Sequence, residues 1–142
     1  MPYQNLKPAA AKRLLDDGWL YLDVRTPEEF HAGHATGAVN VPFALRDGMG
    51  RMQANPEFVR VVQALYPVET ALVVGCASGV RSLHACDQLT SAGFTKLANV
   101  SSGFSGSRDP LGGSEPGWQG AGLPCETGTP ADRSWKTLSQ RA

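Results

Sequence analysis

The residues best suited to chemistry in this chain lie at Ala71-Leu72-Val73-Val74-Gly75-Cys76-Ala77-Ser78-Gly79-Val80-Arg81-Ser82, a strand-like run that meets a cysteine at a turn. Four residues, Ala77, Ser78, Gly79 and Val80, separate Cys76 from Arg81. With a glycine among them the backbone can curl so that its amide hydrogens face the sulfur, which makes a cradle for an anion. A thiol is a nucleophile only as the thiolate. The loop amides, the amino-terminal end of a following helix and the nearby Arg81 all favour that form. Cys76 then needs no histidine or carboxylate to activate it.

The length of the loop bears on the reaction. Enzymes that handle phosphate or arsenate with a similar strand, loop and helix have one residue more between cysteine and arginine, or about 3.3 Å of extra contour. The tighter cradle here suits the outer sulfur of a persulfide on Cys76 better than a tetrahedral oxyanion. The other thiols read differently. Cys86 shares a helical stripe with Leu83 and Leu89 and is assigned to the core, and Cys125 follows Pro124 in a tail and is incidental. A metal site built from Cys76, His84 and Cys86 fails because residues two apart on a helix face different ways. No metal or cofactor is expected. His34 reads as a loop organiser and His31 as solvated surface.

The elements that must hold Cys76 follow from periodicity. A helix is expected over Lys7 to Asp17, with Pro8 early and Gly18 as its stop, then a strand over Trp19 to Val24 that ends in the charged pair Asp23 and Arg25. Thr26-Pro27-Glu28-Glu29 has the pattern of a capping box opening a short helix that stops near Gly33. Residues His34 to Pro42 read as a turn and an edge strand. Phe43 to Ala54 reads as a loop overhanging a site, with Arg46 and Arg51 as solvated residues within it. A helix opens at Asn55-Pro56 and closes at Pro67, and Ala71 to Gly75 is apolar enough for a strand covered on both faces. A helix over Ser82 to Ala92 and a strand over Lys96 to Val100 complete a parallel sheet with helices on both faces. In such sheets ligands sit outside the carboxyl ends of the strands, where Cys76, Asp23, Arg25 and the Ser101-Ser102-Gly103-Phe104 turn all fall. From Gly103 to Thr129 glycine and proline dominate, which predicts an irregular tail anchored by Trp118 and Leu123, with a weak helix over Ala131 to Gln140.

At 142 residues the chain is read as one domain. Thirteen basic and thirteen acidic residues cancel, and no basic cluster with interleaved aromatics occurs, so neither nucleic acid nor a membrane is an expected partner. The three cysteines do not suggest a disulfide framework, and the amino terminus lacks the apolar core of a secretory signal, so a cytoplasmic location is expected.

Four stretches together resemble the single-domain rhodaneses, the thiosulfate sulfurtransferase family. They are Asp23-Val24-Arg25-Thr26-Pro27-Glu28-Glu29-Phe30, Gly33-His34-Ala35-Thr36-Gly37-Ala38-Val39-Asn40-Val41-Pro42, the Cys76-to-Ser82 loop, and Asn99-Val100-Ser101-Ser102-Gly103-Phe104. The resemblance covers roughly residues 5 to 125. It implies a three-layer α/β/α fold around a mainly parallel sheet of about five strands. It also implies that Cys76 takes sulfur from thiosulfate or a similar donor and passes it to cyanide or a thiol; the alternative is a sulfur-relay carrier or protein-docking module with little turnover of its own. The amides of Ala77, Ser78, Gly79, Val80 and Arg81 would hold the persulfide, Arg81 would steady the loop and favour anionic donors, and Asp23 and Arg25 would brace it. Three positions depart from the pattern. Ala77 replaces a residue often basic in thiosulfate-active members, Ser102 stands at the first of two usual glycines, and Ser107 lies near the place of a missing tryptophan.

Overall fold

The computed structural model describes residues 3–108 and 110–141. Its centre is a five-stranded, all-parallel sheet formed by β1 (Gln4–Leu6), β2 (Leu20–Asp23), β4 (Val39–Asn40), β7 (Leu72–Gly75) and β8 (Leu97–Val100). The spatial order is β1-β8-β7-β2-β4, which puts β7 in the middle. All four residues of β7 are buried, as an unbroken apolar run in a central parallel strand requires.

Alternate residues of the central strands feed two cores. Leu22, Leu72 and Val74 join Phe58, Val61 and Val62 of α3 (Phe58–Leu65), Cys86 and Leu89 of α4 (Val80–Ser91), and Leu138 of α5 (Trp135–Arg141). Tyr21 and Val73 join Ala11 of α1 (Pro8–Asp16), Phe30 of α2 (Pro27–Ala32), Phe104 and Trp118 on the other face. This is the expected α/β/α layering.

Two expectations are corrected. The segment 43–54 is an antiparallel hairpin of β5 (Ala44–Arg46) and β6 (Met52–Ala54), where Arg46 donates to the Gly50 carbonyl. It reads as a loop because two three-residue strands, one exposed throughout and the other buried only at Ala44, are too short to show alternation. β1 also escapes the sequence pattern, being a short polar edge strand. The tail is more ordered than its composition suggests, since β9 (Ser107–Arg108) pairs with β10 (Ser114–Glu115), and β11 (Cys125–Glu126) pairs antiparallel with β3 (His34–Ala35). Two-residue pairings are too short to leave a period in the sequence. Trp118 is buried and packs edge-on against Tyr21 with centroids 5.2 Å apart.

Candidate active site

Parallel pairing sets the site. Asp23 is in register with Gly75, and Val74 with Asn99, so the turns after β2, β7 and β8 open on one edge of the sheet. Cys76 follows Gly75 at that edge and is 1% exposed.

The sulfur has two donors among the described residues. The Gly79 N–H lies 3.1 Å from Sγ, and the Ser82 hydroxyl donates to it across 3.3 Å. The first depends on backbone shape. Gly79 caps α4 with φ of +98°, a left-handed conformation that brings its amide back over the sulfur. No side chain fits there, because a Cβ would run into the Ser101 carbonyl. The second donor is a functional candidate that the sequence reading leaves out of the site. Its signal is a hydroxyl one residue beyond Arg81, in the first turn of the helix after the cysteine.

Arg81 does not point its charge at the sulfur alone. Its guanidinium makes two hydrogen bonds to the Glu29 carboxylate, at 2.8 and 3.0 Å, which ties α4 to α2. Burial acts to raise the Glu29 carboxyl, but hydrogen bonds from Arg81 and Thr26 outweigh it and hold the group at about 2. The same pairing raises the Arg81 guanidinium. Arg81 therefore meets the loop as one half of an ion pair.

Asp23 and Arg25 come together as a buried pair, with the guanidinium reaching the carboxylate at 2.8 Å and the Arg25 backbone N–H reaching it at 3.0 Å. The Arg25 guanidinium also donates to the Gly33 carbonyl at 2.6 Å and lies 4.4 Å from the centre of the Phe104 ring. Burial works against this charge and the Asp23 carboxylate more than offsets it. His34 is fully buried, stacked on Phe30, with Nδ1 at 2.7 Å from the Phe30 carbonyl and Nε2 at 2.9 Å from Glu126. It organises β3 and the tail.

The remaining sequence candidates lie apart from the sulfur chemistry. Cys86 is buried in the core, where desolvation pushes its thiol up to about 12. Cys125 is exposed on β11. His31 is on the surface against Thr129. Beside the active loop a depression of about 490 Å³ is lined by Ser78, Ser105, Ser107, Arg108, Ser114 and Glu115. Arg108, not Arg46 or Arg51, brings positive charge to it. Among the described residues no cluster of His, Cys, Asp and Glu is arranged to hold a metal, and no helix is long and apolar enough to cross a membrane.

The chain carrying this cysteine, at the tip of a central parallel strand, is similar to known proteins. The family model described as "Rhodanese-like domain" matches residues 7–109. The chain belongs to the rhodanese family. It is 44% identical over 101 residues to "Thiosulfate sulfurtransferase 16, chloroplastic" of Arabidopsis thaliana, covering 71% of this chain and 83% of that protein. It is 43% identical over 94 residues to "Senescence-associated protein DIN1" of Raphanus sativus, covering 66% of this chain and 51% of that one. The chain thus spans about half the length of some of its curated relatives. Among solved structures, Rv0390 from M. tuberculosis superposes with a TM-score of 0.73 at 29% identity, covering 89% of this chain and 99% of that one.

Proposed function

We propose that this rhodanese moves sulfane sulfur from thiosulfate or a similar donor to a thiol or cyanide through a persulfide on Cys76. The carrying observation is the pair of donors, the Gly79 N–H and the Ser82 hydroxyl, aimed at Sγ. Hydrogen bonds to the charged form of a thiol favour it. The Cys76 thiolate attacks the outer sulfur of thiosulfate. The new S–S bond forms as the bond to the sulfonate sulfur breaks, and sulfite departs with the electron pair. An acceptor thiolate or cyanide then attacks the outer sulfur of the persulfide and returns Cys76 as thiolate, leaving a persulfide or thiocyanate as product.

Two Arabidopsis relatives named as thiosulfate sulfurtransferases, 44% and 45% identical, support this reading. Arg81 and Glu29 link the two helices that flank the loop, and Asp23 with Arg25 braces the adjoining turn. The test is thiocyanate production from thiosulfate and cyanide, together with intact mass after thiosulfate alone. Wild type is expected to gain one sulfur and turn over, and Cys76→Ser to do neither. Full turnover by Cys76→Ser would overturn the proposal. An adduct on Cys76 with negligible cyanide turnover would assign the chain to sulfur relay.

A further inference from the structure

The carbonyls of the active loop are as constrained as its amides. The Cys76 carbonyl accepts from the Phe104 N–H at 2.7 Å, and the Ala77 carbonyl accepts from the Ser105 N–H at 2.9 Å. In a trans peptide a carbonyl and the N–H that follows it point in opposite directions. These two bonds therefore turn the Ala77 and Ser78 N–H groups to the side of the loop away from Phe104 and Ser105. Neither amide donates to a protein acceptor in the hydrogen-bonding pattern of the described residues. Both are left for an anionic sulfur species.

Residues 104 and 105 are in turn held from behind. Gly106 N–H donates to the Ser102 carbonyl at 2.9 Å, Trp118 N–H to Gly103 at 2.8 Å, and Gln119 N–H to Phe104 at 3.1 Å. The contact is close at both ends. A Cβ on Gly103 would come within 2.5 Å of the Ala77 carbonyl, and one on Gly117 within 2.5 Å of the Phe104 carbonyl oxygen. One side chain fastens these layers together. The Ser102 hydroxyl, in a residue 3% exposed, donates to the Pro116 carbonyl at 2.8 Å.

We propose that Ser102 is a positioning residue for sulfur transfer, pinning residues 116–119 behind the 102–106 turn and so fixing the Phe104 and Ser105 amides that aim the Ala77 and Ser78 N–H groups. This rests on the sulfurtransferase reading above. A glycine at 102, the residue usual in the resembled pattern, has no hydroxyl with which to make the link. The brace therefore belongs to this chain, and it recruits a tail that composition alone marks as irregular.

Ser102→Ala and Ser102→Thr test it through kcat for thiosulfate and cyanide, the pH midpoint of Cys76 alkylation, and the melting temperature. Tyr21 on β2 and Arg81 and Cys86 on α4 each interact electrostatically with Cys76, and none of them bonds to Ser102. Ser102→Ala is expected to lower kcat about fivefold, the size of one lost neutral hydrogen bond. It is also expected to move the alkylation midpoint upward, since less well aimed amides favour the thiolate less. Ser102→Thr keeps the hydroxyl and should restore most of both. A Ser102→Ala protein with wild-type kcat and midpoint would overturn the proposal, as would equal impairment of the Ala and Thr variants. If wild type itself takes up no sulfur, the sulfurtransferase reading fails, and the alkylation midpoints alone then decide whether Ser102 aims the loop.

Discussion

Asp23 and Gly75 sit side by side at the carboxyl ends of adjacent parallel strands, and each hands the chain to a turn and a helix. The two crossings are built differently. After β2, side chains satisfy the turn. The Asp23 carboxylate takes both the backbone N–H and the guanidinium of Arg25, and Thr26 with Glu29 closes a full capping box on α2. After β7 no side chain caps α4, and a left-handed glycine shapes the turn while the Ala77 and Ser78 amides stay free on one face. The first crossing satisfies its own polar groups, and the second leaves two loop N–H groups without a protein acceptor among the described residues. The Glu29 to Arg81 ion pair joins the two, so the self-satisfied turn stiffens the other.

The largest effect should come from unpairing the scaffold crossing. Asp23→Ala leaves the Arg25 guanidinium buried without its carboxylate, and a loss of about 3–5 kcal/mol in urea unfolding is expected. A loss under about 1 kcal/mol would show that Gly33 and Phe104 alone satisfy Arg25. Gly79→Ala comes next. It places a β-carbon against the Ser101 carbonyl at a φ that disfavours one, with an expected cost of about 2 kcal/mol and a marked loss of Cys76 alkylation rate. Unchanged alkylation would mean that the Gly79 amide is not what readies the sulfur.

Thr26→Ala sharpens the contrast from the other side. Removing the cap should cost about 1 kcal/mol while leaving the Cys76 alkylation rate close to wild type. The smallest effect is the pH dependence of the Glu29 link. Its folded-state value near 2 lies below the ordinary 4.5, so the stabilisation is fully present above 4.5 and disappears as pH falls toward 2. The melting difference between wild type and Glu29→Gln should therefore hold from neutral pH down to roughly 5 and close below that, staying under about 1 kcal/mol because the pair is partly solvated. A difference that persists at pH 2 would assign the effect to packing.

Much of the site is legible in the residues because it is local. The interval from Cys76 to Gly79 and Arg81 specifies a cradle, the Thr26-to-Glu29 box forms as written, and the Leu83, Cys86 and Leu89 stripe turns into the core, with Cys86 and Leu89 fully buried. Partner choice is not local. That Arg81 would pair with Glu29 follows from α2 and α4 flanking neighbouring strands, and that Ser82 rather than Arg81 would hydrogen-bond the sulfur follows from the way the helix starts at Val80.

The tail shows the same boundary. Trp118 reads as an anchor from its type alone, but the glycines and prolines around it carry no period, so nothing in their order announces that it meets Tyr21 or that Ser102 meets Pro116. By itself the sequence determined the loop around Cys76 and the helices and strands of the parallel sheet beneath it, since these depend on spacing along single segments. The tertiary structure alone decided which groups aim and brace that loop, since hydrogen bonds such as Ser105 to Ala77 join residues that only the packed sheet edge brings within 3 Å.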